Sequence, residues 1–123
     1  MSLDITFYSQ NRETNDIIEC SADFYEYLSK SEFSKIGKSQ EEEMKGDEES
    51  VLVSVIILNF ENRNKYSDFF RNEIVKESDR MLEILGDSPS KEEYKQASSK
   101  LQKLQVIRKL IEDEKHKYLS KTE

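Results

Sequence analysis

The sequence predicts an all-α protein: a three-helix bundle built on a long antiparallel helical hairpin, with a short extended N-terminal arm. Three observations carry that prediction. One Pro and three Gly in 123 residues leave too few tight turns for a small sandwich or barrel, which needs a turn signal about every 8–12 residues. Apolar residues recur three or four positions apart through much of the chain, the spacing of a buried helical face. Ser90 with Glu93 three positions on, directly after Pro89, forms a capping box that marks a helix start. The alternative is α+β, a small two- or three-stranded sheet from residues 3–8, 15–20 and 51–60 packed with helices.

In chain order, Leu3, Ile5 and Phe7 alternate with Asp4, Thr6 and Tyr8, so residues 3–9 read as an extended arm. Ile17, Cys20, Phe24 and Leu28 then fall three or four apart, and residues 14–36 read as the first helix. Thr14 or Ser21 would cap it. Residues 37–47 (GKSQEEEMKGD) have no apolar period and contain two of the three glycines, which reads as an acidic loop with at most a helical turn at 40–45. Residues 48–85 follow as helix, or as strand plus helix. Within them Val51–Phe60 (VLVSVIILNF) is the most apolar run, and its burial is expected to organise the core at roughly 1.5–3 kcal/mol for each large side chain. Half of that run is β-branched, which suits a strand. The acids before it and the helical spacing of Tyr66, Phe70, Ile74, Met81 and Leu85 after it favour a helix. Gly86 closes the segment. The last helix covers 90–120, with Tyr94, Ala97, Leu101, Leu104, Ile107, Ile111 and Tyr118 on one arc. The four-residue connection makes the last two helices an antiparallel pair within a single domain, 1–123.

Composition limits the function. The chain is acidic, net charge −7. Residues 1–50 carry 13 acids against five bases, whereas residues 88–123 carry six against nine. Contact with nucleic acid needs a concentrated basic field, so a nucleic-acid partner is not expected. No apolar run approaches the roughly 20 residues that span a bilayer, so no membrane partner is expected either. The single cysteine fits a reducing compartment, and a cytoplasmic location is expected.

No motif for catalysis, a metal or a cofactor is present, and none of these is expected. The acids Glu41, Glu42, Glu43, Asp47, Glu48 and Glu49 lack the alternation and central Gly of a calcium loop. His116 has no second ligand at usable spacing and is expected on a helix surface. Cys20, among Asp16, Glu19 and Asp23, is expected to be an unreactive core residue. The bases Lys95, Lys100, Lys103, Arg108 and Lys109 scatter around the wheel of the last helix. What remains is binding. The expected function is that of a small acidic, non-enzymatic protein of inhibitor, immunity or adaptor type. It would meet a basic protein surface through Glu41, Glu42, Glu43, Asp47, Glu48, Glu49, Asp16, Asp23 and Glu26, with Tyr25 and Phe69 as aromatic anchors. The alternative partner is a second copy of the chain, in a homo-oligomeric structural or assembly subunit.

Overall fold

The fold is α+β, not an all-α bundle. A computed structural model describes residues 3–46, 48–86 and 90–122. Its elements run β1 (Leu3–Ser9), β2 (Thr14–Cys20), α1 (Ala22–Ser29), a 3₁₀ turn (Glu32–Lys35), β3 (Gln40–Lys45), β4 (Ser50–Ile57), α2 (Phe60–Gly86), α3 (Lys91–Glu112) and β5 (His116–Thr122). The strands form one antiparallel sheet in the order β2-β1-β5-β4-β3. The extended arm is therefore a sheet strand. The expected helix over 14–36 is a strand, a two-turn helix and a 3₁₀ turn. The acidic loop contains β3, residues 48–85 divide into β4 and α2, and the last helix stops at Glu112 so that residues 116–122 can enter the sheet. All three segments of the α+β alternative are strands, joined by two that it did not include. Among the described residues no helix is long and apolar enough to cross a membrane.

The sheet exists because antiparallel pairs place compatible side chains on one face. Phe7 pairs with Leu119, Leu119 with Ile56, and Ile5 with Ile18. Against this face pack Phe24 and Leu28 of α1, Phe33 of the 3₁₀ turn, Tyr66 and Phe70 of α2, and Leu104, Ile107 and Ile111 of α3. Ser21 caps α1 by accepting from the Phe24 N–H at 3.3 Å. Ser90 caps α3 by accepting from the Glu93 N–H at 3.1 Å, as its sequence signature requires.

The apolar run is not wholly interior. Val55, Ile56 and Leu58 are buried, but Val51, Leu52 and Phe60 are exposed, Phe60 to 85%. The reason is a change of pairing partner along β4. Residues 50–55 pair with β3, whereas Ile56 and Ile57 pair with β5. The β3–β4 hairpin crosses the second face of the sheet and encloses a smaller cluster of Tyr8, Met44 and Val55, with Val53 and Tyr118. Arg12 holds it there from the β1–β2 turn, where its φ of 69° is left-handed. Its carbonyl accepts from the Lys45 N–H at 3.0 Å, and its guanidinium donates to Glu42 Oε2 and the Glu43 carbonyl at 3.0 Å each. The hairpin turn needs Gly46, where an added Cβ would lie 2.5 Å from the Glu49 carbonyl oxygen.

The end of α3 sets the position of β5. Arg63, near the start of α2, donates to four carbonyls: Ile111 at 2.7 Å, Asp113 at 3.0 Å, Leu58 at 3.0 Å and His116 at 2.6 Å. The fully buried His116 ring lies between the Leu110 carbonyl, 2.8 Å from Nδ1, and Asp16 Oδ2, 3.0 Å from Nε2. His116 is thus a core residue of β5, not a helix-surface residue. Burial draws the Arg63 pKa below the usual guanidinium value, opposed by the charges of Glu114 and Asp113. A second polar link joins α2 to α3, where Ser67 and Arg71 donate to Glu112 at 2.6 and 2.8 Å and Arg108 pairs with it at 3.0 Å.

Two predictions follow from these links. Arg63→Ala should lower stability by on the order of 3 kcal/mol, because buried carbonyls lose their donors. Arg63→Lys should recover only part of this, since an ammonium cannot span four acceptors in one plane; urea midpoints would measure both. For Glu112, burial raises the carboxyl, but hydrogen bonds from Arg71 and Ser67 and the charges of Arg71 and Arg108 outweigh it and hold the pKa below 4.5. A depressed carboxyl stabilises the fold fully above its unfolded pKa, and the contribution disappears as pH falls through the folded value. The stability gap between wild type and Glu112→Gln should therefore be constant above about pH 5 and close below it.

Candidate functional site

The chain places its most varied set of polar side chains along one open groove, where the end of β2 and the start of α1 face α3. The groove has a volume of about 1060 Å³. Cys20, Asp23 and Tyr27 line one wall, and Lys95, Lys100 and Lys103 the other. α1 can meet α3 here because Cys20 ends β2 with its side chain in the core, 2% exposed, and Ser21 starts the helix at once. Lys103 Nζ donates to the Glu19 carbonyl at 2.8 Å. Lys100 Nζ lies 3.9 Å from the centre of the Tyr27 ring and 3.0 Å from Glu77 Oε1. Glu77 is 8% exposed, so this pair offsets the cost of burying a carboxylate. The Tyr27 hydroxyl donates to Glu73.

Burial and pairing fix the state of several groups in the groove. Burial, with Asp4 nearby, pushes the Cys20 thiol up to about 11 in spite of the opposing charge of Lys103, so it is a protonated thiol at neutral pH. Burial and the Glu73 hydrogen bond raise the Tyr27 phenol well above its ordinary value. Lys100 is held between a carboxylate and a ring. The groove therefore offers fixed charges, a strand end and hydrogen-bonding groups, with its thiol and phenol in their unreactive forms. Among the described residues no group of three or more His, Cys, Asp or Glu is placed to hold a metal.

The residues expected to bind a partner do not form one surface. Glu41 and Glu43 are exposed on β3, and Glu48 and Glu49 in the turn that follows, while Glu42 is half-buried against Arg12. Asp47 lies outside the described residues. Asp16 is on β2 and holds His116. Asp23 lines the groove, and Glu26 pairs with Lys30 at 2.8 Å on the open side of α1. The two acidic groups belong to opposite ends of the strand order. Tyr25 and Phe69 are half-buried against the main core, and Phe69 packs edge-on to Phe70 at 5.0 Å.

Sequence reasoning did not select Tyr27, Glu73, Glu77 or Lys103 as site residues. Glu73 and Glu77, four apart on one helix face, resemble any solvated pair until α1 and α3 are placed against them. The three lysines of the groove were visible only as scattered bases. No family model, curated protein or solved structure matches the chain.

Native Cys20 should react with iodoacetamide at pH 8 roughly a hundredfold more slowly than in urea, following its smaller thiolate fraction. Equal rates in the two states would remove the argument that the groove holds an unreactive thiol.

Proposed function

We propose that this chain is a homo-oligomeric assembly subunit, acting by association with further copies of itself rather than by catalysis. The observation that carries this reading is the outer half of the α2–α3 pair. Beyond Glu77 on α2, and before Leu104 on α3, no described side chain is buried. Ten residues of α2 from Glu77 to Gly86 extend about 15 Å with little support except from α3. Two helices of such length are marginal by themselves in water, yet this arm exposes Leu82 at 69% and Tyr94 at 46%, and Val75, at its base, is 59% exposed. Val75 and Leu82 are seven residues apart and share one stripe of α2. Packing two arms side by side gives a four-helix arrangement that buries both stripes, at roughly 1.5–3 kcal/mol per large side chain covered.

A second reading has its own observation. Glu41, Glu43, Glu48 and Glu49 are exposed around the exposed Val51 and Leu52 at the end of the β3–β4 hairpin. Apolar residues within an acidic rim suit a different protein with a basic surface.

Sedimentation velocity separates the two. Wild type should gain mass as its concentration rises, and Val75→Glu with Leu82→Glu should weaken that association at least about tenfold, because like charges would be buried in the contact. Changing Glu41, Glu43, Glu48 and Glu49 to Ser should leave self-association unaltered. A wild type that stays monomeric at every concentration would sink the assembly reading.

A further inference from the structure

The two outer strands of the sheet are treated differently. The free side of β3 is occupied by the β1–β2 turn, through the Lys45 N–H on the Arg12 carbonyl and the Arg12 guanidinium on the Glu43 carbonyl. On the free side of β2 the only contact of this kind among the described residues is Lys103 Nζ on the Glu19 carbonyl. That bond shows the Glu19 carbonyl turned away from β1. Antiparallel pairing alternates, so Ile17 turns its N–H and C=O outward as well. Its side chain, on a β-branched residue suited to strand pairing, is 56% exposed.

We propose that β2 of one copy pairs antiparallel with β2 of a second copy about a two-fold axis at Ile17, joining two five-stranded sheets into one. This contact extends the self-association proposed above and does not depend on the helical arm. The register follows from side-chain compatibility. With Ile17 opposite Ile17 of the second copy, Asp16 faces Ile18, Asn15 faces Glu19 and Thr14 faces Cys20, so no carboxylate opposes another. An axis at Glu19 would set Glu19 against itself. An axis at Asn15 would fall on the irregularity where β1 and β2 change register, between Phe7 and Tyr8, and a ladder is interrupted there. Among axes on the outward-facing residues of β2, Ile17 alone keeps Glu19 from opposing itself and lies off the irregularity.

The same register brings the β1–β2 turn of the second copy, with Glu13, toward the groove that Lys95 and Lys103 line. The Glu13 carboxylate makes an exposed ion pair with Lys45 at 3.4 Å, a contact weak enough to exchange for another cation. Lys103, displaced from the Glu19 carbonyl by the incoming strand, meets that carboxylate. The groove is thus filled by the end of the neighbouring β1–β2 hairpin. Because each copy then has two different two-fold contacts, edge and arm, copies can extend into a linear assembly.

Disulfide trapping tests the edge contact. A hydrogen-bonded antiparallel pair sets Cα atoms about 5.5 Å apart, within the disulfide range of about 4.4–6.8 Å. Ile17→Cys in a Leu82→Glu background should give a covalent dimer under mild oxidant, whereas Val106→Cys, comparably exposed at 44%, should not. Cys20, buried and protonated, does not compete. In the unmodified protein, amide exchange at Ile17 and Glu19 should slow at least about tenfold as concentration rises. Ile17→Lys should abolish that slowing while keeping the wild-type urea midpoint. Edge pairing is overturned if Ile17→Cys cross-links no faster than Val106→Cys and exchange at Ile17 and Glu19 is independent of concentration. If Ile17→Cys cross-links while Val75→Glu with Leu82→Glu leaves association unchanged, the arm reading fails and the edge contact stands.

Discussion

The fold depends on how α3 ends. The last carbonyls of a helix have no partner within it, and the helix dipole gathers negative charge there. Arg63 brings a cation and donates to the Ile111 and Asp113 carbonyls, and His116 faces the Leu110 carbonyl. The same two side chains reach other elements, Arg63 the Leu58 and His116 carbonyls and His116 the Asp16 carboxylate. One polar junction therefore stops α3, starts β5, and ties both to the β4–α2 connection and to β2. Without it the final segment has no reason to leave the helical path, and the sheet would lack the strand between β1 and β4.

A comparable economy governs the second face of the sheet. A strand reading QEEEMK would rarely be chosen for burial, yet only Met44 of it enters the core, at 2% exposure. Arg12 neutralises Glu42 and occupies β3's free edge, while Glu41 and Glu43 stay in solvent on the other side. Charge on β3 is tolerated because alternation sends it outward, and an edge with charge and a bound arginine is closed to stray pairing.

These arrangements leave the molecule with uneven surfaces. The body is well packed, with aromatic contacts linking Phe33 to Tyr66, Phe69 and Phe70. The outer arm and the β2 edge are not, and each exposes apolar side chains. A groove whose thiol and phenol are held protonated separates them. The self-association proposed above would use both of these surfaces.

The sequence by itself determined one helix start, one helix end and part of the helical core. Ser90 and Glu93 marked the start of α3, Gly86 the end of α2, and the three-and-four spacing identified Tyr66, Phe70, Leu104, Ile107 and Ile111 as core residues. Those signals are local: a cap, a helical period and a missing Cβ act within a few residues. The strands beyond β1 were obscured because their partners are distant, with β5 paired to residues more than a hundred positions away. β5 also carries His116 and Ser120 at buried positions, so its period of two is hidden, and Tyr118 happens to continue the helical arc of α3. The groove was illegible for the same reason: Cys20, Tyr27, Glu77 and Lys103 meet only after α1 and α3 are set against the sheet. The start of α3 and the end of α2 were decided by neighbours in sequence, whereas the end of α3, strand pairing and the site were decided by neighbours in space, which only tertiary packing supplies.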